Sequence, residues 1–202
     1  MRILIFIAIA IGVACTGCVS TKPIPFYTIE PAAPLATEAR PDGLILLVSN
    51  IATPEALQDG RIRYRIGANE AGAYEYHRWT ERPGTMVRES LVRALRASGK
   101  YQRVLETSSS APCDYLLRGK LYEFGEVDDK SIQTKISLQM ELVDRKTSRS
   151  VWDRHMEREE PVTSKNVADV VQSLDRNLQH VTGDMAAEID KFLSTGRASA
   201  SH

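Results

Sequence analysis

The sequence predicts an α+β domain, a largely antiparallel sheet with helices packed on one face. Three observations carry this. In the C-terminal half, Asp114–Val127, Ile132–Val143 and Ser150–Glu159 alternate apolar and polar residues at strand length, with polar turns at Asp128-Asp129-Lys130 and Arg145–Arg149 between them. Period two with tight connections makes an antiparallel meander with one wet face. Arg61–Ile66 alternates strictly and is followed by a Gly67–Gly72 turn and an aromatic run, the pattern of a hairpin. Two further stretches, Pro83–Ser98 and Asn166–Leu193, each carry an apolar stripe at helical spacing, and such a stripe needs a sheet to lie on.

The chain opens as a secretory leader. Arg2 is the only charge in Met1–Cys18, Ile3–Ala14 is unbroken apolar or small, and Cys15-Thr16-Gly17-Cys18 closes the segment. The run is too short to cross a bilayer as a helix, which takes ~20 apolar residues. Small residues abutting a cysteine resemble a lipobox, the pattern at which a bacterial lipoprotein is acylated on the cysteine and cut just before it; the alternative is an ordinary leader cut without lipidation. Thr16-Gly17 favours Cys18 as the lipidated residue and residues 1–17 as the leader, while Val13-Ala14 leaves Cys15 as the alternative. With Cys18 acylated, Cys113 is the one thiol remaining and reads as a small buried hydrophobe. With Cys15 acylated, Cys18 and Cys113 could pair in an oxidising compartment.

Residues 18–42 read as a tether, since five of the nine prolines fall there: Pro23, Pro25, Pro31, Pro34 and Pro41. An extended Pro-rich segment runs at about 3.1 Å per residue, a reach of up to roughly 70 Å from the membrane. Inside it, Phe26-Tyr27-Thr28-Ile29 is the one apolar cluster, either a short strand docked on the domain edge or a partner-binding peptide; flanking prolines suit the edge strand.

The folded body is expected over residues 43–194. Gly43–Ser49 is a continuous apolar run of strand length, expected to be central. Asn50–Gly60 is loop with a helical turn at Pro54–Leu57. Arg61–Ile66 sets Ile62, Tyr64 and Ile66 on one face and three arginines on the other. Ala73–Trp79 is its aromatic partner strand. The Pro83–Ser98 helix turns Val87, Leu91, Ala94 and Leu95 inward, with Gly99 as its stop. Arg103–Thr107 is a short strand and Ser108–Pro112 a loop. Along the meander, Tyr115, Leu117 and Leu121 share a side, as do Ile136, Leu138, Met140 and Leu142, and then Trp152 and Met156. The last helix repeats Val170, Leu174, Leu178, Val181, Met185 and Ile189, with Ser164 or Asn166 placed to cap it. Residues 195–202 are expected to be a disordered tail.

Charge and motifs narrow the function. The chain has 202 residues with 26 basic and 26 acidic side chains. Removing residues 1–17 takes away Arg2 and no acid, leaving 25 basic against 26 acidic, which argues against nucleic acid as a partner. The length suits one domain with a real core. There is no Gly-x-Ser-x-Gly elbow, His-Glu-x-x-His, Gly-x-Gly-x-x-Gly or phosphate loop. The four histidines, His77, His155, His180 and His202, have no second ligand at metal spacing. No catalytic residue, metal or cofactor is expected. What remains is a candidate partner-binding set: Arg61, Arg63, Tyr64, Arg65, Tyr74, Tyr76 and Trp79. Arg and aromatics are enriched where interfaces concentrate their energy. The plainer reading is an edge strand protected by charge and a hairpin packed by its own rings.

Together these landmarks resemble the ABC-type transport auxiliary lipoproteins, the lipoprotein components of MCE (mammalian cell entry) lipid-transport systems. The residues concerned are the lipobox cysteine followed shortly by Phe26-Tyr27-Thr28-Ile29, the Ile62-Arg63-Tyr64-Arg65 strand and Tyr74–Trp79 entering the Pro83–Leu95 helix. The Tyr115-Leu116-Leu117 to Phe124 strand, the Leu142-Val143-Asp144 turn and the long final helix complete them. Two positions depart from the pattern: no leucine stands three before Cys18, and Ile29 replaces the usual leucine. The resemblance implies a non-catalytic periplasmic subunit, held by its lipid in the inner leaflet of the outer membrane. Its implied partners are an MCE-domain periplasmic protein and an ABC permease with its ATPase; self-association is left open. Val19 after the cysteine, rather than an acidic residue, favours the outer membrane. The alternative from another class is a structural outer-membrane assembly lipoprotein that binds a β-barrel or envelope component.

Overall fold

The computed structural model describes residues 23–29, 43–106 and 112–200. The expected leader, both candidate lipidation cysteines, most of the Pro-rich stretch, residues 107–111 and residues 201–202 lie outside the described residues. The strands are β1 (Phe26–Tyr27), β2 (Leu44–Ala52), β3 (Arg61–Ile66), β4 (Glu70–Trp79), β5 (Tyr101–Glu106), β6 (Tyr115–Asp128), β7 (Ile132–Asp144) and β8 (Arg149–Pro161). The helices are α1 (Pro83–Ala97) and α2 (Val167–Ala200), and a 3-10 turn, Glu55–Leu57, separates β2 from β3.

The eight strands form one mixed sheet whose longest ladders are antiparallel. Its spine is β6. One edge of β6 pairs with β7 along its whole length, and β8 lies beyond. The other edge is used twice: β2 runs parallel to Tyr115–Lys120, and β3 runs parallel to Gly125–Asp128. The sheet therefore forks. One branch ends in β5, parallel to β2. The other continues through β4, antiparallel to β3, to β1, parallel to β4. β2 is central because β5 and β6 pair with its two edges, and its apolar run Leu46, Leu47 and Val48 is buried there. Gly125 explains how β3 comes close enough to join: a Cβ there would stand 2.6 Å from the Arg63 carbonyl oxygen.

Both helices lie on one face, α1 over β2 and β5, α2 over β7 and β8, and they touch each other. The expected stripes meet there: Leu91 and Leu95 of α1, Leu174, Leu178, Met185 and Ile189 of α2, and Leu117, Leu121, Leu138, Met140 and Leu142 of the sheet are all fully buried. Each leucine-sized side chain so covered contributes ~1.5–3 kcal/mol. Pro83 occupies the first turn of α1, and Gly99, at φ 65, ends it in the left-handed conformation. The cap of α2 is Asn166, whose Oδ1 accepts the Asp169 N–H at 2.8 Å. Ser164 instead donates to the Asp169 carboxylate at 2.6 Å.

Hydroxyls and amides set the depth of α2. Thr134 and Ser173 share a hydrogen bond at 2.9 Å, and Asn177 Nδ2 donates to the carbonyls of Thr134 and Arg158, both at 3.1 Å. Ser90 of α1 meets Thr182 at 2.9 Å, and Tyr101 donates to Asp190 at 2.6 Å. These buried bonds have one register, so they fix where the helix sits.

Two boundaries and one burial differ from expectation. Phe26 and Tyr27 pair with β4, and Ile29 is buried in the core at 8% exposure, so the body begins inside the stretch expected to be tether. At the other end α2 continues to Ala200 instead of ending at Leu193. No proline stops it, and the Ser194 and Thr195 hydroxyls back-bond to Asp190 and Lys191 carbonyls at 2.6 and 2.9 Å. Cys113, expected buried, is only partly covered just ahead of β6.

Candidate partner-binding surface

The β3–β4 hairpin does not present its seven candidate residues as one surface. Strand alternation puts the arginines on the face away from the helices and Ile62, fully buried, on the other. Arg61 and Arg63 share the Asp59 carboxylate at 2.6 and 2.9 Å. Burial pushes Asp59 upward, but the Arg61 N–H and guanidinium and the Arg63 charge outweigh this and hold it below its ordinary value. Arg65 donates to the Gly67 carbonyl at 2.9 Å and lies 3.7 Å from Glu123 of β6.

The same face continues across the sheet. Lys135 of β7 sits between Glu157 at 2.6 Å and Glu123 at 3.1 Å. Burial pulls its pKa down, but the two carboxylates prevail and raise it. Arg118 bonds Glu141 at 2.6 Å. Where the sheet forks, this face opens into a groove of about 210 Å³. Leu57 of the 3-10 turn, Phe124 and Val127 give it apolar lining, while Arg63, Arg65 and Lys135 supply charge. The Arg63 Nε is buried with no hydrogen-bond partner. The groove can therefore take an apolar side chain beside a carboxylate or carbonyl.

Tyr64 also lines this groove, while the other aromatics of the set lie elsewhere. Tyr64 packs edge-on against Tyr74 at 5.3 Å between centroids, over Gly72, where a Cβ would meet the Tyr64 ring. Tyr74 donates to Glu126 at 2.6 Å and packs edge-on to His77. Its phenol is raised by burial and then by the Glu126 carboxylate. Trp79, at 3% exposure, stands edge-on to Phe124 in the core, so it is a packing residue and offers no ring to a partner. Tyr76 is the exposed member of the set, at 41%.

The histidines have structural partners. His77 Nδ1 meets the Tyr27 hydroxyl at 3.0 Å, and His180 meets Glu160 at 2.8 Å. His155 meets Ser137 at 3.2 Å, but Ser137 is itself buried and no carboxylate backs the imidazole among the described residues. His202 lies outside the described residues. Among the described residues no His, Cys, Asp or Glu group is spaced to hold a metal, and no helix is long and apolar enough to cross a membrane.

Glu123, Lys135 and Asp59 belong to the charged face and were not singled out from sequence. Asp59-Gly60 ahead of an arginine ladder was a local signal for the last; the other two are joined to the hairpin only by the pairing of β3 with β6 and of β6 with β7.

The family model described as "ABC-type transport auxiliary lipoprotein component" matches residues 27–186. Protein XCC0632 from Xanthomonas campestris, of family DUF330, has a similar structure, with TM-score 0.76, 22% identity, and 88% of this chain and 99% of that chain covered. A crystal structure described as an uncharacterized protein superposes with TM-score 0.65 at 17% identity, covering 83% of this chain and 99% of the other. These two likenesses are of fold. No curated protein matches this chain in sequence.

Proposed function

This chain belongs to the ABC-type transport auxiliary lipoprotein family, and from that premise we propose that it docks an MCE-type lipid transporter at the outer membrane. The lipid on Cys18 holds it on the periplasmic side, and the face of the sheet away from the helices receives the partner. The observation that carries the docking surface is the groove at the fork. There apolar lining meets Arg63 and Arg65 of the set expected from sequence and their neighbour Lys135. Charges already held in place by Asp59 and Glu123 lose little side-chain freedom on binding. Such a site suits a partner loop that brings an apolar residue beside an acidic one. No catalytic step is part of the proposal; the subunit works by being held and by holding.

A photo-crosslinking residue in place of Ala71, which lines the groove, tests this in cells. Recovery of an MCE protein or permease is the expected result, and Arg65→Glu should reduce its yield several-fold. Crosslinks to a β-barrel alone would instead favour an envelope-assembly lipoprotein, and crosslinks confined to sites remote from the groove would remove the groove from the account.

A further inference from the structure

The outer margin of the forked sheet carries a second surface. Among the described residues the exposed large hydrophobics include Ile24 at 41%, Phe26 at 62% and Tyr76 at 41%. They are neighbours. Phe26 pairs with Arg78 in the parallel β1–β4 ladder, and the Arg78 N–H bonds the Pro25 carbonyl at 3.2 Å, so the chain through Ile24 runs on beside Tyr76. Tyr27 and Ile29 turn the other way, to His77 and into the core. Phe26 and its companions therefore project from the face that the helices leave uncovered.

Two charges border this apolar cluster, the Arg78 guanidinium and, beside the Tyr76 hydroxyl, the Glu75 carboxylate. Arg78 lies beside Phe26 in register and opposite Arg61 across the antiparallel β3–β4 ladder. Like charges placed opposite each other destabilise a ladder unless an anion lies between them. Asp59 is shared by Arg61 and Arg63, whereas the Arg78 guanidinium is in no ion pair with a described residue. An aromatic ring beside an unpaired guanidinium matches the boundary of a phospholipid leaflet, where rings sit at headgroup level and cations meet phosphate.

Chain length says which surface lies within reach. Ile24 is the sixth residue after Cys18. At ~3.3–3.6 Å per residue, a fully extended chain keeps Ile24 within roughly 20 Å of the acylated cysteine. The Cys15 alternative lengthens that to roughly 30 Å. The docking of β1 thus replaces a reach of roughly 70 Å by a short leash, and it brings Ile24, Phe26 and Tyr76 to the membrane side of the molecule.

We propose that the β1–β4 margin is a membrane-contact patch, in which Ile24, Phe26 and Tyr76 seat in the headgroup region of the leaflet holding the lipid anchor, with Arg78 on lipid phosphate. The proposal rests on the lipoprotein reading above, through the leash. It gives the subunit a fixed orientation rather than a swinging one.

The test uses the mature acylated protein in vesicles of phosphatidylethanolamine with a minor share of phosphatidylglycerol. Phe26→Cys and Tyr76→Cys are each labelled with a nitroxide in a Cys113→Ala background, and Val151→Cys on β8 serves as the remote exposed site. Flotation with the vesicles reads the anchor; the ratio of oxygen to nickel-chelate collisions reads the depth of the label. The proposal expects flotation, a several-fold higher ratio at 26 and 76 than at 151, and loss of that excess in detergent. Flotation with equal ratios at all three sites overturns the patch and leaves the lipoprotein reading standing. No flotation overturns both. Protection at 26 and 76 that persists in detergent assigns the cover to the chain's own residues 30–42 or to a second copy, and also overturns it. Melting curves matching the unlabelled protein show that each variant is folded.

Discussion

Five carboxylates show how single residues hold this fold together. Burial pushes Asp59 and Glu160 upward, but Arg61 with Arg63, and His180 with Arg158, hold both below their ordinary values. The Arg118 guanidinium lowers Glu141, the Thr147 N–H lowers Asp144 in the β7–β8 turn, and the Ser164 hydroxyl lowers Asp169 in the first turn of α2. A folded-state pKa below the unfolded value means that the unfolded chain takes up protons first as pH falls. The stability these groups contribute is therefore complete above the ordinary carboxylate range and is lost as the pH falls through about 4 and below. Asp59 is exposed and the other four are partly covered, Glu160 most, with 14% of its side chain exposed; solvent still reaches each pair, so each contribution is small and screened by salt. The melting temperature should stay level from about pH 7 to about pH 5 and then fall. Asp144→Asn should lower the plateau slightly and make the acid limb shallower. Thermal melts across pH check this, and an unchanged acid limb in the variant would show that the turn carboxylate is not linked to folding.

At the scale of elements, legibility in the sequence followed the type of pairing. The meander could be read because alternation from Ile132 to Leu142 survives intact in β7, and the helices because their stripes are long. That β2 is central was also legible, from its continuous apolar run. That β2 and β3 share one edge of β6 was not, because parallel neighbours are far apart in sequence and leave no turn to read. The surface residues failed where the ladder slips. Arg61 pairs with Arg78 but Arg63 with Ala73, so β4 carries a bulge between them. Alternation carried through it places Tyr74 and Tyr76 on one face, whereas Tyr74 packs on Tyr64 and Tyr76 is exposed. The best sequence mark of the fork is Gly125, an isolated glycine inside a long strand. Gly125→Ala would set a methyl against backbone, the Arg63 carbonyl oxygen, which no side-chain rotation relieves. The expected loss is ~1–3 kcal/mol. Gly183→Ala, inside α2 with nothing within 4 Å of the added Cβ, should instead gain ~0.5–1 kcal/mol. Urea midpoints of the two variants test this, and a loss at both positions would mean that the contact with Arg63 is not what Gly125 provides.

For the molecule as a whole, the question is where the folded body starts, because the start sets how far the lipid can hold it from the membrane. Composition draws the boundary at residue 43, since prolines crowd the segment before it. Packing draws it near residue 25. Ile29 is a core residue, Tyr27 bonds His77, and the Thr80 N–H donates to the Tyr27 carbonyl at 2.8 Å. Proline content was a poor guide because Pro23 and Pro25 flank a sheet edge, a place where a missing N–H costs nothing. The two boundaries predict different outcomes for an unacylated chain beginning at residue 30 compared with one beginning at residue 19. If residues 19–42 were only a tether, the shorter chain would be as stable as the longer. Because Ile29 fills the core, its removal leaves a cavity there and uncovers the β4 edge and His77, a loss of ~2–4 kcal/mol. Ile29→Ala in the longer chain should account for most of that loss, since it empties the same site without disturbing the β1 ladder. Equal urea midpoints for all three chains would return residues 23–29 to the tether, and with them the long reach. A lowered midpoint in both variants leaves, on the proposed acylation of Cys18, only the residues between that cysteine and β1 as leash, which would set the body close against the membrane.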